Sequence, residues 1–335
     1  MLEAYKKIEK ERAELGIPPE PLDAEQTADL VELIKENSDD GDLLLDLLIN
    51  RVPAGVDDAA YVKAAFLNDI ATKKITCDLI DPTKATFYLG TMLGGYNVEP
   101  LINLLDDDEC GNEAVKALSQ TLLVFDAFND VAEKSKDSSN AAKVLKSWAE
   151  AEWFTSKPEV PQSITTTVFK VPGETNTDDL SPAPDAWSRP DIPLHALAMY
   201  KMPRQGLSND PLGEIKKLKE KGHPVCLVGD VVGTGSSRKS ATNSVLWHMG
   251  EDIPFIPNKR TGGICIGTKI APIFFNTMED AGTLVFEADV EKMETGDVIT
   301  IFPYEGKIED ESSENISSFE LKSETFLDEV RAGGR

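Results

Sequence analysis

Residues 225–240 read VCLVGDVVGTGSSRKS, an apolar, β-branched run that ends in a glycine turn. Two hydroxyl side chains and two cations follow within Ser236–Lys239, and residues 241–247 can continue as a helix. Glycine lets a backbone turn sharply and approach a ligand closely. A helix N-terminus adds unpaired N–H donors and the positive end of a dipole. The segment therefore predicts a strand–turn–helix unit of an α/β domain, with a site for a carboxylate or a phosphate.

Two familiar glycine motifs do not fit this turn. With Gly233 as its first glycine, a Walker A loop would place Arg238 where the second glycine belongs. The dinucleotide fingerprint fits at Gly233 and Gly235, but Arg238 again replaces the third glycine. The turn is thus predicted to bind an anion beside a guanidinium. A glycine turn that merely carries solvated polar residues remains the alternative.

A second cluster, residues 173–193, has four prolines within its last twelve positions. Proline is excluded from helix interiors and central strands, so this segment is predicted to be a long, stiffened loop. It carries Arg189, several acidic residues and Trp187. A rigid loop that holds an arginine suits a substrate site, although a proline-braced connector has the same composition.

The first half of the chain, residues 1–157, is patterned as helices. Asp23–Gln26 is typical of a capped helix start, and Asp81–Pro82 pairs a cap with proline at the first helical position. Apolar residues at helical spacing occupy segments 30–34, 43–49, 59–73, 101–105 and 114–123. Helices recur about every 15–20 residues, which gives a paired unit near the ~40-residue HEAT period. The residues alone indicate an α-solenoid or a bundle.

The second half, residues 158–335, changes texture after the Ser156–Pro161 connection. Strands are predicted at 164–171, 225–228, 263–266, 283–286, 298–302 and 318–321. Helices are predicted near 212–221, 237–249 and 270–280, a loop at 203–213, and a polar hairpin at 305–315. The predicted fold is therefore α + α/β: a helical domain over 1–157 and an α/β domain over 158–335.

Composition limits the partners of this chain. A length of 335 residues favours two domains, and the net charge is −25. Such a charge repels phosphate backbones and anionic membranes, so nucleic-acid binding is not supported and an anionic substrate needs local arginines. The chain has no run of about 18 apolar residues and no signal-peptide core. We therefore expect a cytoplasmic protein that does not cross a membrane.

Taken together, the two clusters resemble the mobile swivel domain of the aconitase superfamily. The resemblance is carried by Asn176–Ser181, Arg189 and Gly233–Arg238, in the family's order. The chain is most similar to the aconitase B type (bifunctional aconitate hydratase 2/2-methylisocitrate dehydratase), in which a HEAT-like domain precedes the swivel and a three-domain core follows. The likeness extends to residues 90–97 and 271–277.

This resemblance implies a tricarboxylic acid cycle lyase that interconverts citrate, cis-aconitate and isocitrate through a [4Fe-4S] cluster. Family members hold the cluster with three cysteines, two of them in a Cys-x-x-Cys pair. The present sequence has no such pair, and none of its cysteines is expected to be a ligand: Cys77, Cys110, Cys226 and Cys265. We therefore expect the chain to be the N-terminal part of a longer enzyme, truncated before the catalytic core and inactive alone.

The resemblance also assigns roles within the Ser-Ser-Arg sequence. Ser236 is implied to be the general base that removes the Cα proton of the substrate, while Ser237 and Arg238 bind substrate carboxylates. A serine base needs a greatly lowered pKa, which a helix start and a neighbouring guanidinium can provide. Arginine suits carboxylates because its planar fork binds both oxygens.

Other roles are implied outside that sequence. Arg189 aligns with a second carboxylate-binding arginine, and Asp191 is expected to orient it, to accept a bond from the substrate, or to be a surface acid. Asp178 and Ser181 are expected to hold the swivel loop in shape. Three histidines match no catalytic motif and are predicted to be structural: His195, His223 and His248.

Two rival functions remain open at this stage. One is the separate small subunit of a related isomerase, which resembles a free swivel but would lack the helical half. The other is a non-enzymatic interaction module, because helical repeat surfaces commonly bind proteins. The helical domain is also predicted to offer a face for a homodimer or a protein partner, beside contacts with the catalytic core.

Overall fold

The computed structural model describes residues 1–36, 40–188 and 191–335. They form two compact units: the first contains Met1–Ser156 with Pro254–Pro257, and the second contains Lys157–Ile253 with Asn258–Arg335. Each unit has a hydrophobic core of its own. Over the described residues, no helix combines the length and apolarity that a membrane span requires.

The first unit is helical. Its helices are α1 (Leu2–Glu14), α2 (Ala24–Lys35), α3 (Gly41–Asn50), α4 (Asp58–Ala71), α5 (Pro82–Gly90), α6 (Val98–Leu104), α7 (Gly111–Gln120), α8 (Ala127–Lys134), α9 (Ser139–Ala149) and α10 (Glu152–Thr155). Packing pairs α2 with α4, α4 with α5, α5 with α7, and α7 with α9. Neighbouring helices thus share one continuous core.

Local capping chemistry fixes two of these helix starts. The Asp23 carboxylate accepts from Gln26 N at 2.8 Å, and the Gln26 side chain accepts from Asp23 N at 3.1 Å. Asp81 accepts from Lys84 N at 2.7 Å, with Pro82 in the first turn of α5. Both predicted starts are confirmed, because each cap satisfies N–H groups that the helix leaves unpaired.

The second unit combines helices and strands. Its strands are β1 (Ile164–Asn176), β2 (Val225–Thr234), β3 (Glu251–Asp252), β4 (Arg260–Thr261), β5 (Ile264–Ile270), β6 (Leu284–Glu287), β7 (Val298–Phe302), β8 (Lys307–Glu309) and β9 (Asn315–Ser318). Its helices are α11 (Thr177–Leu180), α12 (Ala183–Ser188), α13 (Ile192–Ala196), α14 (Pro211–Lys219), α15 (Lys239–Met249), α16 (Pro272–Asp280) and α17 (Phe326–Ala332).

A seven-stranded mixed sheet organises this unit, in the order β6-β5-β2-β1-β7-β8-β9. Strands β6, β5, β2 and β1 run parallel, and β7, β8 and β9 continue antiparallel from β1. Val168, Phe169 and Val228 are fully buried, as expected for central strands covered on both faces. The predicted mixture of a helical half and an α/β half is confirmed.

The carboxyl ends of the parallel strands lie along one edge of the sheet. Strand β1 leads there into α11, β2 into α15 and β5 into α16. In the register of the sheet, Asn176 lies opposite Thr234, and Val232 lies opposite Ile270. In open parallel sheets this edge is where ligands bind.

The predicted long loop at 173–193 is wrong in its described part. Strand β1 continues to Asn176, and the short helices α11, α12 and α13 follow. Pro184 is the second residue of α12 and Pro193 lies in the first turn of α13. First turns tolerate proline because their N–H groups lack helical partners. The prolines therefore start helices here rather than prevent them.

Two further boundaries differ from the sequence prediction. Helix α14 starts at Pro211, where Asp210 caps Gly213 N at 3.0 Å, so the predicted loop over 203–213 ends earlier. The last strand is Asn315–Ser318 rather than 318–321. Phe319 instead bridges to Ala288, and its ring stacks on Phe286 at 3.9 Å. A tertiary contact thus overrides the local strand pattern.

The packing of the sheet predicts a burial-dependent loss of stability. Ile266 in β5 is 0% exposed, whereas Ile273 in α16 is 56% exposed. We expect Ile266→Ala to lower the free energy of unfolding by about 2–5 kcal/mol, because it leaves a cavity between packed layers. The matched Ile273→Ala change should cost no more than about 0.5 kcal/mol.

Urea denaturation measures both variants, and hydrogen exchange locates the loss. Exchange should quicken in β2 and β5 and stay unchanged in α2–α4, because the two units have separate cores. Equal losses for Ile266→Ala and Ile273→Ala would contradict the described burial.

Candidate substrate-binding site

Residues Gly233–Arg238, here called the serine–arginine loop, connect β2 to α15. Gly233 and Gly235 have φ of +79° and +94°, a conformation that side chains disfavour. A Cβ on Gly233 would lie 2.2 Å from Cγ of Phe274, so the loop directly contacts α16. Gly233 is therefore favoured by its positive φ and by its close contact with Phe274. Gly235 is favoured by its positive φ.

A pocket of about 220 Å³ lies against this loop. Ser236, Ser237 and Arg238 line it on one side, and the start of α16, Pro272–Phe274, lines it on the other. Both serines are exposed, and Arg238 occupies the N-cap position of α15. The N-terminal end of a helix favours negative charge, so the pocket suits an anion.

Arg238 is held by two partners on a neighbouring segment, Asn176–Ser181, here called the acidic turn. Its Nη1 donates to Asp178 Oδ1 and, at 3.0 Å, to the Ser181 carbonyl. Arg238 thereby lowers the pKa of the Asp178 carboxyl, which stays ionised. Among the described residues, Nη2 and Nε of Arg238 have no hydrogen-bond partner. One side of the guanidinium fork therefore stays available for a ligand.

The acidic turn is fixed by its own caps and by the loop. Asn176 Oδ1 accepts from Asp179 N at 2.9 Å, and Asp179 Oδ2 accepts from Asn176 N at 2.9 Å. Thr177 Oγ1 then donates to the Ser236 carbonyl at 2.9 Å. The turn thus contacts both ends of the Ser236–Arg238 segment.

Ser181 lies fully buried at the centre of a hydroxyl network. Its Oγ lies 2.7 Å from His195 Nε2 and 2.6 Å from Ser240 Oγ. Ser240 is in the first turn of α15, and His195 is in α13. Ser181 therefore connects α13, the acidic turn and α15, and its carbonyl accepts from Arg238.

Asp191 and Arg189 are the two remaining predicted site residues, and only Asp191 lies among the described residues. Asp191 is half-buried at the N-cap position of α13, and its carbonyl accepts from His195 N at 2.9 Å. Its described link to the serine–arginine loop runs through His195 and Ser181. Arg189 lies outside the described residues. The structure thus brings together Asp178, Ser181, Ser236, Ser237 and Arg238.

Two of the cysteines are core thiols of the sheet. Cys226 in β2 and Cys265 in β5 are fully buried, and burial raises the pKa of both thiols, that of Cys226 to about 12. Over the described ranges, no group of three or more His, Cys, Asp or Glu side chains could hold a metal ion. Neutral core thiols do not fit the thiolate ligands of an iron–sulfur cluster.

Several contributors were not assigned from the sequence. Asp179, Thr177 and Ser240 bind the loop or its supports, and Arg204 binds Asp179. Asp179 had a local signal, since an Asn three residues before an Asp is typical of reciprocal capping. Arg204 had none, because its contacts are about 30 residues away along the chain.

Comparison with family models places the chain in a class. Residues 4–154 match the model described as Aconitate B N-terminal domain, and residues 166–335 match the one described as Aconitate hydratase 2 N-terminus. The second match alone covers half of the chain. The chain belongs to the aconitase B family.

Curated relatives agree along the whole chain. Aconitate hydratase B of Pseudomonas aeruginosa is 62% identical over 100% of this chain and 40% of that protein. Aconitate hydratase B of Escherichia coli is 59% identical over the same shares. The chain thus spans about 40% of the length of these relatives. A solved 3-isopropylmalate dehydratase from Methanocaldococcus jannaschii aligns with 52% of this chain and 90% of its own at 20% identity, but its TM-score of 0.39 supports no conclusion.

The contact between the loop and α16 predicts a specific glycine effect. Gly233→Ala would place its Cβ 2.2 Å from Phe274 Cγ and 2.3 Å from Phe274 Cβ, so a change of rotamer cannot relieve the clash. Gly262 is a matched control, because its φ is +76° but no atom lies within 4 Å of its added Cβ.

We expect Gly262→Ala to cost about 1–2 kcal/mol from backbone strain alone. Gly233→Ala should cost at least ~2 kcal/mol more, since the start of α16 must move. Urea denaturation measures the difference. Equal losses would mean that the loop does not press against α16.

His248 predicts an acid-dependent loss of stability. Its Nε2 donates to the Ala196 carbonyl at 2.9 Å, and burial, with smaller effects of Lys219 and Arg260, lowers its pKa from 6.5 to about 4. Below pH 6.5 the unfolded chain therefore binds a proton that the folded chain excludes. The stability is fully present above that pH and is lost as pH falls toward 4.

His248→Gln keeps a donor for Ala196 but does not titrate. Between pH 7 and pH 5 the wild type should lose about 2 kcal/mol more free energy of unfolding than the variant. Urea denaturation at both pH values measures this difference. Parallel pH profiles of the two proteins would contradict a lowered pKa of the half-buried His248.

Proposed function

We propose that this chain is the substrate-gripping part of an aconitate hydratase, which interconverts citrate, cis-aconitate and isocitrate. Two lines support the proposal: membership of the aconitase B family, and a Ser-Ser-Arg sequence with both serines exposed at the N-terminus of α15. The observation that carries it is the half-paired guanidinium of Arg238. Its Nη1 is bound by Asp178 and Ser181, its Nη2 and Nε have no hydrogen-bond partner among the described residues, and Arg238 lines a pocket of about 220 Å³.

Arg238 and Ser237 would bind a carboxylate of the substrate. The Asp178 contact fixes the plane of the guanidinium before the ligand arrives, so little side-chain entropy remains to be lost. Nη2 and Nε, which have no partner among the described residues, can then bind both oxygens of one carboxylate. We propose Arg189 as a second carboxylate contact and Asp191 as its neighbour.

Ser236 would act as the general base that removes the Cα proton. Its side chain is exposed to the same pocket, and its carbonyl is fixed by Thr177 Oγ1 at 2.9 Å. The helix start and the Arg238 charge both stabilise an alkoxide at this position. The proton would move from the substrate Cα to Ser236 Oγ.

The cluster chemistry belongs elsewhere in this proposal. Aconitases resembling this chain use a [4Fe-4S] cluster, yet the thiols of the described residues are buried or lie in the helical unit. We propose that the cluster ligands, and the core domains that carry them, lie in further parts of a longer protein. The chain supplies the base and the carboxylate grip.

We further propose that the first unit is a HEAT-like repeat domain and the second a swivel domain, within a cytoplasmic enzyme. The first unit exposes large apolar side chains, with Val56 at 76%, Leu123 at 56% and Phe125 at 80%. Exposed apolar groups in one unit are typical of interaction surfaces. They support a protein partner or a second copy bound through this unit.

The base assignment predicts a separation of binding from turnover in the longer enzyme. Ser236→Ala should lower kcat by at least about 100-fold, because the proton acceptor is lost, and leave KM nearly unchanged. Arg238→Lys should weaken both, at a cost of about 2–4 kcal/mol in kcat/KM, since lysine lacks the planar fork.

Steady-state kinetics with isocitrate measure both variants. Ser208→Ala and Arg260→Lys serve as controls of the same type and should leave both constants within about twofold of wild type. A near-normal kcat for Ser236→Ala would contradict the assignment of the base.

A further inference from the structure

Arg204 lies in the connection between α13 and α14. The residues directly beside it in the sequence are exposed. Met202 is 69% exposed, whereas the side chain of Arg204 is only 16% exposed. A lone inward arginine in an exposed connection needs a reason, because burying a cation is costly unless it is paired.

The guanidinium of Arg204 spans the end of β1 and the acidic turn. Its Nη1 donates to Asp179 Oδ2 at 2.5 Å, and its Nη2 donates to the Pro172 carbonyl at 3.0 Å and to the Glu174 carbonyl. The two carbonyls flank Gly173, where the pairing of β1 with β2 shifts register. Arg204 thus fixes the strand irregularity that immediately precedes the acidic turn.

Asp179 carries this restraint into the turn. Its Oδ2 accepts from Arg204 and also from Asn176 N at 2.9 Å, and its carbonyl accepts from Tyr200 N at 2.7 Å. The adjacent Asp178 bonds Arg238 instead. Two neighbouring carboxylates therefore each bind one arginine: Asp179 binds Arg204, and Asp178 binds Arg238 at the candidate site.

We propose that Arg204 is a positioning residue for the serine–arginine loop. It holds the acidic turn so that Thr177 reaches the Ser236 carbonyl at 2.9 Å and Asp178 reaches Arg238. Its guanidinium makes no described hydrogen bond to residues 233–238, so its effect passes through the turn. The importance of this positioning for substrate rests on the proposed function.

The first test needs no ligand. Arg204→Gln should shift the backbone amide resonances of residues 176–181 and of 234–239 together. Arg260→Gln is the matched control: Arg260 also donates to a carboxylate, Asp252, at 2.7 Å and to a carbonyl, but it braces the other end of α15. Its shifts should spare both segments. Shifts confined to 172–181 in Arg204→Gln would overturn the proposal.

The second test asks whether Arg204 acts through the Asp178–Arg238 pair. Arg204→Gln should weaken binding of tricarballylate by about tenfold, within the range for coupled neighbours. In an Asp178→Asn background the same change should weaken binding by less than about twofold, because the pair is already broken. If Arg204→Gln weakens binding by the same factor in both backgrounds, the change acts by general destabilisation and the proposal is overturned.

Conservative variants separate positioning from folding. Arg204→Lys can reach Asp179 but cannot also hold the carbonyls of Pro172 and Glu174, so it should restore only part of the affinity. If Arg204→Gln fails to fold, Asp179→Asn applies the same two tests. A wild-type chain that does not bind tricarballylate would count against the proposed function, and the amide shifts alone would then decide the role of Arg204.

Discussion

The parallel pairing of β1 with β2 is the constraint on which the candidate site depends. Its register sets Asn176 opposite Thr234, so the acidic turn and the serine–arginine loop leave the sheet side by side. Buried β-branched residues such as Val168 and Val228 hold that register. The polar contacts between Thr177 and Ser236, and between Asp178 and Arg238, form only because the strands already meet.

Much of this arrangement follows from local sequence. A few neighbouring residues suffice to predict three kinds of feature: the helix caps at Asp23 and Asp81, the β-branched start of β1, and the glycine turn at 233 and 235. Pro184 and Pro193 do not distinguish a stiff loop from a helix start, because both structures tolerate proline. Arg204 could not be found this way, since its partners are determined by the tertiary fold.

Electrostatics explain why the site needs so much support. The chain carries a net charge of −25, which opposes the approach of any tricarboxylate. Binding of such a ligand must therefore depend on arginines whose side-chain orientation is fixed before the ligand binds. Asp178 orients Arg238 at the pocket, and Asp179 pairs with Arg204 behind it. The two adjacent carboxylates thus orient the guanidinium groups of Arg238 and Arg204.

The most direct test of this account is a crystal structure of the chain with tricarballylate. We expect one carboxylate bound to Nη2 and Nε of Arg238 and to the first amides of α15, with the Asp178 contact retained. Tricarballylate bound elsewhere, with the serine–arginine loop empty, would contradict the assignment of this loop as the carboxylate site.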